Sequence, residues 1–247
     1  MKKNNFFAFI VTLTLFYSVQ GQSNYSGEIQ YEATYDKTLI DEKSKIGNKE
    51  GIEGANMLIK SASNITAKLT FNQNQSCYKV DKKLKVKDKT DLNITFFLAG
   101  CSNIFYHNRD SLNLLQTNES LGKTFVIKRD IPNWIITKET KKINDLVCVK
   151  AYTIIPKKES DPKNDKDKIG AVAWFCPKIP IAYGPMEYFG LPGLIIELKF
   201  SKLTFIAKKI NLNKENVVIE KPDETKVITV EEFNTIARKK VPSFFEN

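Results

Sequence analysis

One histidine, four cysteines and three methionines are all that this 247-residue chain offers of the side chains that most often shuttle protons, attack or hold soft metals. The single histidine, His107, rules out any centre built on several imidazoles. There is no HExxH, so the chain is not a zincin, and no GxSxG, so it has no strand-turn-helix nucleophile elbow. No CxxC pair marks a zinc or dithiol redox site. LGKTF supplies Gly122, Lys123 and Thr124, the tail of a phosphate loop, but Thr117 stands where its first glycine is required. The glycine-rich stretch GNKEGIEG (47–54) lacks GxGxxG and reads as a polar loop. The acids Asp161, Asp165 and Asp167 are interrupted by lysines and lack the glycine and terminal glutamate of a calcium loop. Neither a metal nor a cofactor is expected.

What the chain has instead is a leader and a rhythm. Lys2 and Lys3 precede an apolar run from Phe6 to Val19, the length of a signal-peptide core, and Val19 and Gly21 suit the two specificity positions of a signal peptidase. The run is shorter than the roughly 20 residues a membrane span needs. Residues 1–21 are therefore read as a signal peptide and 22–247 as a single exported domain, without a transmembrane span after cleavage. The expected location is the periplasm, the outer membrane or the extracellular space. In such an oxidising compartment Cys77, Cys101, Cys148 and Cys176 are expected to pair, Cys148 with Cys176 and hence Cys77 with Cys101. The formal charge is +10, but the lysines are interleaved with acids, as in KVDKKLKVKDKTD (79–91). That describes a solvated surface, not a nucleic-acid track.

The rhythm is mostly of period two. In GEIQYEATY, Ile29, Tyr31, Ala33 and Tyr35 alternate with Glu28, Gln30, Glu32 and Thr34. AKLTF, SCYKV, ITFFLA, NIFYH, LNLLQ, TFVIK, WIITKE, LVCVKAYTII, AVAWF, LIIELKF and LTFIAKKI follow at short intervals, as an antiparallel meander requires. PKKESDPKNDKDKIG (156–170) joins two of these runs as a polar hairpin loop. Near the end, Thr229 and Glu232 have capping-box spacing, Val230, Phe233, Ile236 and Ala237 share a face, and Arg238, Lys239 and Lys240 suit a helix C-terminus. The apolar tail VPSFF is expected to dock this helix. The fold class is mainly β (α+β): a single curved antiparallel sheet or open half-barrel with a C-terminal helix.

Chemistry is harder to place. His107, in IFYHNRDS ahead of an Asn-Arg-Asp turn, is expected at the surface. Glu187 is the one acid in a setting apolar enough to raise its pKa. Its neighbourhood, YGPMEYFGLPGLIIEL (183–198), combines glycines and prolines with bulky apolar side chains. Gly184 and Pro185 break one strand, Gly190-Leu191-Pro192-Gly193 fits a type II turn, and a strand follows. Leu191, Leu194 and Ile196 are expected in the core. Tyr183, Met186, Tyr188 and Phe189 are candidates for contacting a ligand or partner.

The same residues carry a resemblance. Gly190-Leu191-Pro192-Gly193-Leu194-Ile195 spells the motif of the GLPGLI family, exported proteins of the Bacteroidota with a domain called Porph_ging. Cys148 to Ala151, Ala173-Trp174-Phe175, Ile179-Pro180, Gly184-Pro185 and Ile228-Thr229 with Glu232-Phe233 resemble its context. The resemblance implies export, cell-envelope residence and no established activity, and points to an outer-membrane partner such as a TonB-dependent receptor. Together with the lack of a catalytic set, it leads to a non-enzymatic binding or accessory protein. The alternatives are a carrier holding an apolar ligand such as a lipid in a curved sheet, and a carboxylate-based hydrolase acting through Glu187.

Overall fold

The computed structural model describes residues 25–37, 53, 56–57, 59–81, 93–155 and 168–240. The leader, the Gly-rich loop at 47–54 apart from Glu53, the lysine alternation at 82–91, the loop at 156–167 and the VPSFF tail lie outside the described residues.

Twelve strands form one sheet. In chain order they are β1 (Gly27–Tyr35), β2 (Ile65–Phe71), β3 (Gln75–Val80), β4 (Asn103–Asn108), β5 (Asn113–Ser120), β6 (Lys123–Lys128), β7 (Trp134–Ile143), β8 (Leu146–Ile155), β9 (Lys168–Cys176), β10 (Leu194–Phe200), β11 (Leu203–Leu212) and β12 (Val227–Thr229). Their order across the sheet is β12-β6-β5-β4-β3-β2-β1-β11-β10-β9-β8-β7, so two meanders are joined where β1 pairs with β11. β7 and β12 are the open edges, and all pairings are antiparallel except that of β12 with β6. The protein is mainly β, as the alternation predicts. On β1, Ile29, Tyr31 and Ala33 are buried while the residues between them are half-buried. Burying one face and wetting the other fixes the register, because a slip of one residue would turn every apolar side chain outward. Among the described residues no helix is long and apolar enough to cross a membrane.

One expected strand is a helix. ITFF in ITFFLA is rich in β-formers, yet α1 (Ile94–Leu98) is helical. Asn93 caps it by accepting from the Thr95 amide at 3.0 Å. Gly100, at φ 86°, ends it, with the Cys101 amide donating to the Phe96 carbonyl and the Gly100 amide to the Phe97 carbonyl. This is a Schellman close, and the two caps override propensity over a single turn.

The C-terminal helix is α2 (Val230–Lys240). Its capping box is reciprocal: the Glu232 amide donates to Thr229 Oγ1 at 3.1 Å and the Thr229 amide to Glu232 Oε2 at 2.8 Å. No α2 residue is buried, and Phe233 meets Phe125 of β6 edge-on at 5.3 Å. Thr229→Ala should therefore cost about 1 kcal/mol locally. Amide exchange in the first turn of α2 should accelerate while the main unfolding transition stays in place.

The main core lies between β1–β4, β8–β11 and the segment 177–193, which connects β9 to β10 and contributes Ile181, Tyr183 and Leu191. Tyr31 of β1 donates its hydroxyl to the Ile195 carbonyl of β10 at 2.7 Å. Since β11 lies between these strands, that bond reaches across a curled sheet. A smaller cluster of Tyr106, Leu115 and Val126, with Ile219 against it, covers the other face of β4–β6.

The cysteine pairings expected from compartment are not formed: all four side chains are free thiols. Val149 pairs with Phe175, and extending that register by one places Cys148 opposite Cys176, both fully buried. Burial, reinforced by the neighbouring Cys176, pushes the Cys148 thiol up to about 11. That leaves little thiolate at neutral pH to start an exchange. Cys77 lies on the face of β3 away from Tyr78, within the field of Glu220, whereas Cys101 lies beyond the end of α1 with its sulfur 3.6 Å from Ser102 Oγ.

Candidate functional site: a cleft at the Gly-Pro corner

The segment 177–193 is a stitched corner. The Leu194 amide donates to the Ile179 carbonyl at 2.9 Å, the Gly190 amide to Ala182 at 2.9 Å, and the Ile195 amide to Tyr183 at 3.2 Å. The expected type II turn is replaced by a tighter one. The Gly193 amide donates back to the Leu191 carbonyl at 2.8 Å, a γ-turn centred on Pro192, and the Ile181 amide repeats the pattern about Pro180 at 2.7 Å. Gly190, at φ 91°, is the position that needs glycine's conformational freedom. Gly184 and Gly193 are needed for closeness. A Cβ on Gly184 would lie 2.5 Å from the Tyr188 carbonyl oxygen, and one on Gly193 would enter the Cys176 carbonyl.

Two hairpins face this corner. In the β2–β3 turn, Asn72 Oδ1 accepts from the Asn74 and Gln75 amides at 3.0 and 2.8 Å. In the β4–β5 turn, Asn108 Oδ1 accepts from the Asp110 and Ser111 amides at 2.9 and 3.3 Å. Such Asx turns bend the chain without a partner from elsewhere. The hairpins are tied together by the Arg109 amide on the Asn74 carbonyl at 2.8 Å and by Asn74 Nδ2 on Asp110 Oδ2 at 2.7 Å. Between hairpins and corner opens a cleft of about 960 Å³. Tyr25, Phe71, Tyr183 and Phe189 give it aromatic walls; Asn72, Gln73 and Asn74 give it amides; Arg109 and Asp110 give it its charges. Leu112, Ile131, Pro180, Ile181, Ala182 and Gly190 complete the lining.

His107 is the unexpected member. Instead of lying at the surface it is 6% exposed, because it points inward two residues after the core residue Phe105. Phe189 lies tilted over its ring at 3.6 Å between centroids, and Tyr183 meets it edge-on at 5.7 Å. Neither ring nitrogen has a hydrogen-bond partner. Burial, then the positive charge of Arg109, pushes the imidazole down to about 4, so at neutral pH it carries no charge. A buried, unmet donor or acceptor costs about 1–3 kcal/mol. The period-two register with Phe105 was the available signal for this placement; the polar turn after it pointed the other way.

The four candidate contact residues divide. Tyr183 and Phe189 line the cleft, and burial holds the Tyr183 hydroxyl well above its ordinary pKa. Met186 and Tyr188 are half-buried on the core side, with Tyr188 6.0 Å from Trp134 and 5.5 Å from Phe200 between ring centroids. Trp134 Nε1 donates to the Phe189 carbonyl at 2.7 Å and so anchors the ring that covers His107. Of the motif residues, Leu191, Leu194 and Ile195 are core and Gly190 edges the cleft.

Glu187 does not line the cleft. It forms an ion pair with Arg129 at 3.0 Å, and its second carboxylate oxygen is buried without a hydrogen bond. A separate polar cluster lies on β7–β10, where Lys141 Nζ is 2.8 Å from Glu197 Oε2 and 4.4 Å from the Trp174 ring centroid. Among the described residues no group of three or more histidine, cysteine or acidic side chains is placed to hold a metal ion.

No curated protein sequence matches the chain. Structures of PNGF-II in the P21 and C2 space groups align over 86% and 88% of this chain at 15% and 14% identity, with TM-scores of 0.46 and 0.47. They are aligned over only 32% and 33% of their own length, so this chain spans about a third of PNGF-II. That likeness is too remote to transfer residues. The family comparison is more direct: residues 134–197, from the first residue of β7 through the whole Gly-Pro corner to Glu197 of β10, match the model of Porph_ging, a protein of unknown function. It is this segment, which contains the GLPGLI motif, that is similar to the Porph_ging family.

Proposed function

We propose that this is an exported, non-enzymatic binding protein of the cell envelope that serves an outer-membrane partner, and that its ligand site is the cleft at the Gly-Pro corner. The observation that carries the reading is His107: a buried imidazole with two unmet nitrogens lining a cleft walled by aromatic rings and amides. Apolar walls with a few convergent polar groups are what a ligand site requires. Export is supported by the leader-like first 21 residues, and the envelope setting by the resemblance to the GLPGLI family. The carrier alternative has less support, because the inner face of the curled sheet is filled by its own side chains and by Ile181, Tyr183 and Leu191.

The test is photo-crosslinking in cells, with a probe residue replacing Ile131, which is 46% exposed on the cleft lining, and a control replacing Val218, which is 82% exposed elsewhere. An adduct formed from position 131 and not from 218 is the expected result. A lipid adduct would move the carrier reading ahead. No adduct from a folded, exported variant would overturn the cleft as a ligand site.

A further inference from the structure

We infer that the cleft takes an organic monocarboxylate, with its anion on the Arg109 guanidinium and its apolar body against Leu112 and Ile131. This rests on the cleft being a ligand site, and it identifies the class of ligand.

The charge pattern selects the class. Among the described residues, Arg109 is the only cation on the cleft lining and Asp110 the only anion. Arg109 is exposed on the β4–β5 turn, and its guanidinium has no ion pair among the described residues. Its backbone amide is pinned to the Asn74 carbonyl at 2.8 Å, so the root of the side chain is fixed. Asp110, the nearest candidate to neutralise it, accepts instead from Asn74 Nδ2 at 2.7 Å. A planar guanidinium presents a fork of donors that matches one carboxylate. A phosphate or polyanion would ask for further cations, and the lining has none among the described residues; Asp110 would repel it besides. A cation would meet Arg109 and a single acid already engaged.

The rest of the lining suits the body of such a ligand. Leu112 and Ile131, both exposed on the lining, supply apolar surface, and the volume of about 960 Å³ exceeds what a bare carboxylate occupies. His107 lies under the Phe189 ring, two residues from Arg109 on the same hairpin. A carboxylate brought to Arg109 offsets the charge that disfavours the imidazolium, so binding and proton uptake by His107 are linked. The chain has one histidine, so its ring resonances report this without ambiguity.

The experiment uses 3-phenylpropionate and its neutral counterpart 3-phenylpropionamide as probes on the purified, exported protein. Calorimetry gives affinity, and NMR titration follows the histidine. The acid should bind about tenfold or more tighter than the amide. Arg109→Gln, an exposed change whose folding is checked by its melting curve, should bring the two to near parity. In the wild type the acid should raise the histidine pKa, and the amide should leave it in place. Equal affinity for acid and amide, unchanged acid binding in Arg109→Gln, or no acid binding at millimolar concentration would each overturn the inference. The underlying cleft reading is judged separately: an adduct from position 131 that survives Arg109→Gln would keep the site and discard the carboxylate, whereas loss of every adduct from position 131 in the wild type would discard both.

Discussion

His107→Leu should remove most of the loss of stability that the wild-type fold shows on acidification from pH 7 to pH 5. In the folded protein the imidazole is held down to about 4, first by burial and second by Arg109, against an ordinary value of 6.5. The unfolded chain therefore takes up a proton as pH falls through 6.5, and the folded chain does not until about 4. Between those values the unfolded state binds more protons, so stability falls as pH falls, and it levels off below the folded value. With the side chain 6% exposed, little solvent screening applies. The loss from pH 7 to pH 5 amounts to about 2 kcal/mol. Ordinary carboxylates titrate below that window, which leaves it to the histidine. Leucine fills the space beneath Phe189 without a proton to gain. Urea unfolding at pH 7, 6 and 5 measures the effect, and parallel curves for variant and wild type would sink the assignment of a buried neutral imidazole.

Gly193→Ala is expected to be the most damaging small change in the motif, costing about 3–5 kcal/mol or preventing folding. The new Cβ would enter the Cys176 carbonyl and lie 3.0 Å from Pro177 Cα, both of them backbone. Neither can swing away as a side chain could. Cys176 ends β9 opposite Leu194, and the Leu194 amide holds Ile179, so relief would have to part β9 from β10 or unpick the corner. Gly190→Ala is the contrasting control. Nothing lies within 4 Å of its Cβ position, and only the φ of 91° opposes the change. That strain is about 1–2 kcal/mol. Thermal unfolding of both variants decides the matter. Similar losses in the two would mean that the close approach to Cys176 is not what the second glycine of the motif provides.

These glycines also show what could be read from the sequence. That 183–198 is a corner ahead of a strand was legible from its glycines and prolines, and β1 from the alternation of GEIQYEATY. The kind of turn was not, because a proline at that place suits a type II turn or a γ-turn, and the choice lies with the Cys176 carbonyl behind it. ITFF misled for a local reason: its residues favour strands, but Asn93 and Gly100 close a helix around them. The capping box of α2 was legible because Thr229 and Glu232 satisfy each other without tertiary help. The cleft was half legible. Tyr183 and Phe189 stood out as aromatics in a turn-rich segment, but the hairpin carrying His107 and Arg109 is brought to them from far away in sequence. A polar turn beside a histidine looks the same whether or not a distant ring covers it.

The pairing of β1 with β11 has a consequence for the order in which the molecule can assemble. Ser26 Oγ donates to the Lys214 carbonyl across a separation of 188 residues, and the centre of the sheet is made at this seam. In the first meander β2 with β3 and β4 with β5 and β6 can zip by short hairpins, but one edge of β1 stays open until β11 has emerged. Contacts so distant in sequence slow folding, and an unpaired strand edge invites other chains to pair with it. For a chain that emerges from its first residue onward, the middle of the fold thus closes late, with only β12 and α2 still to follow.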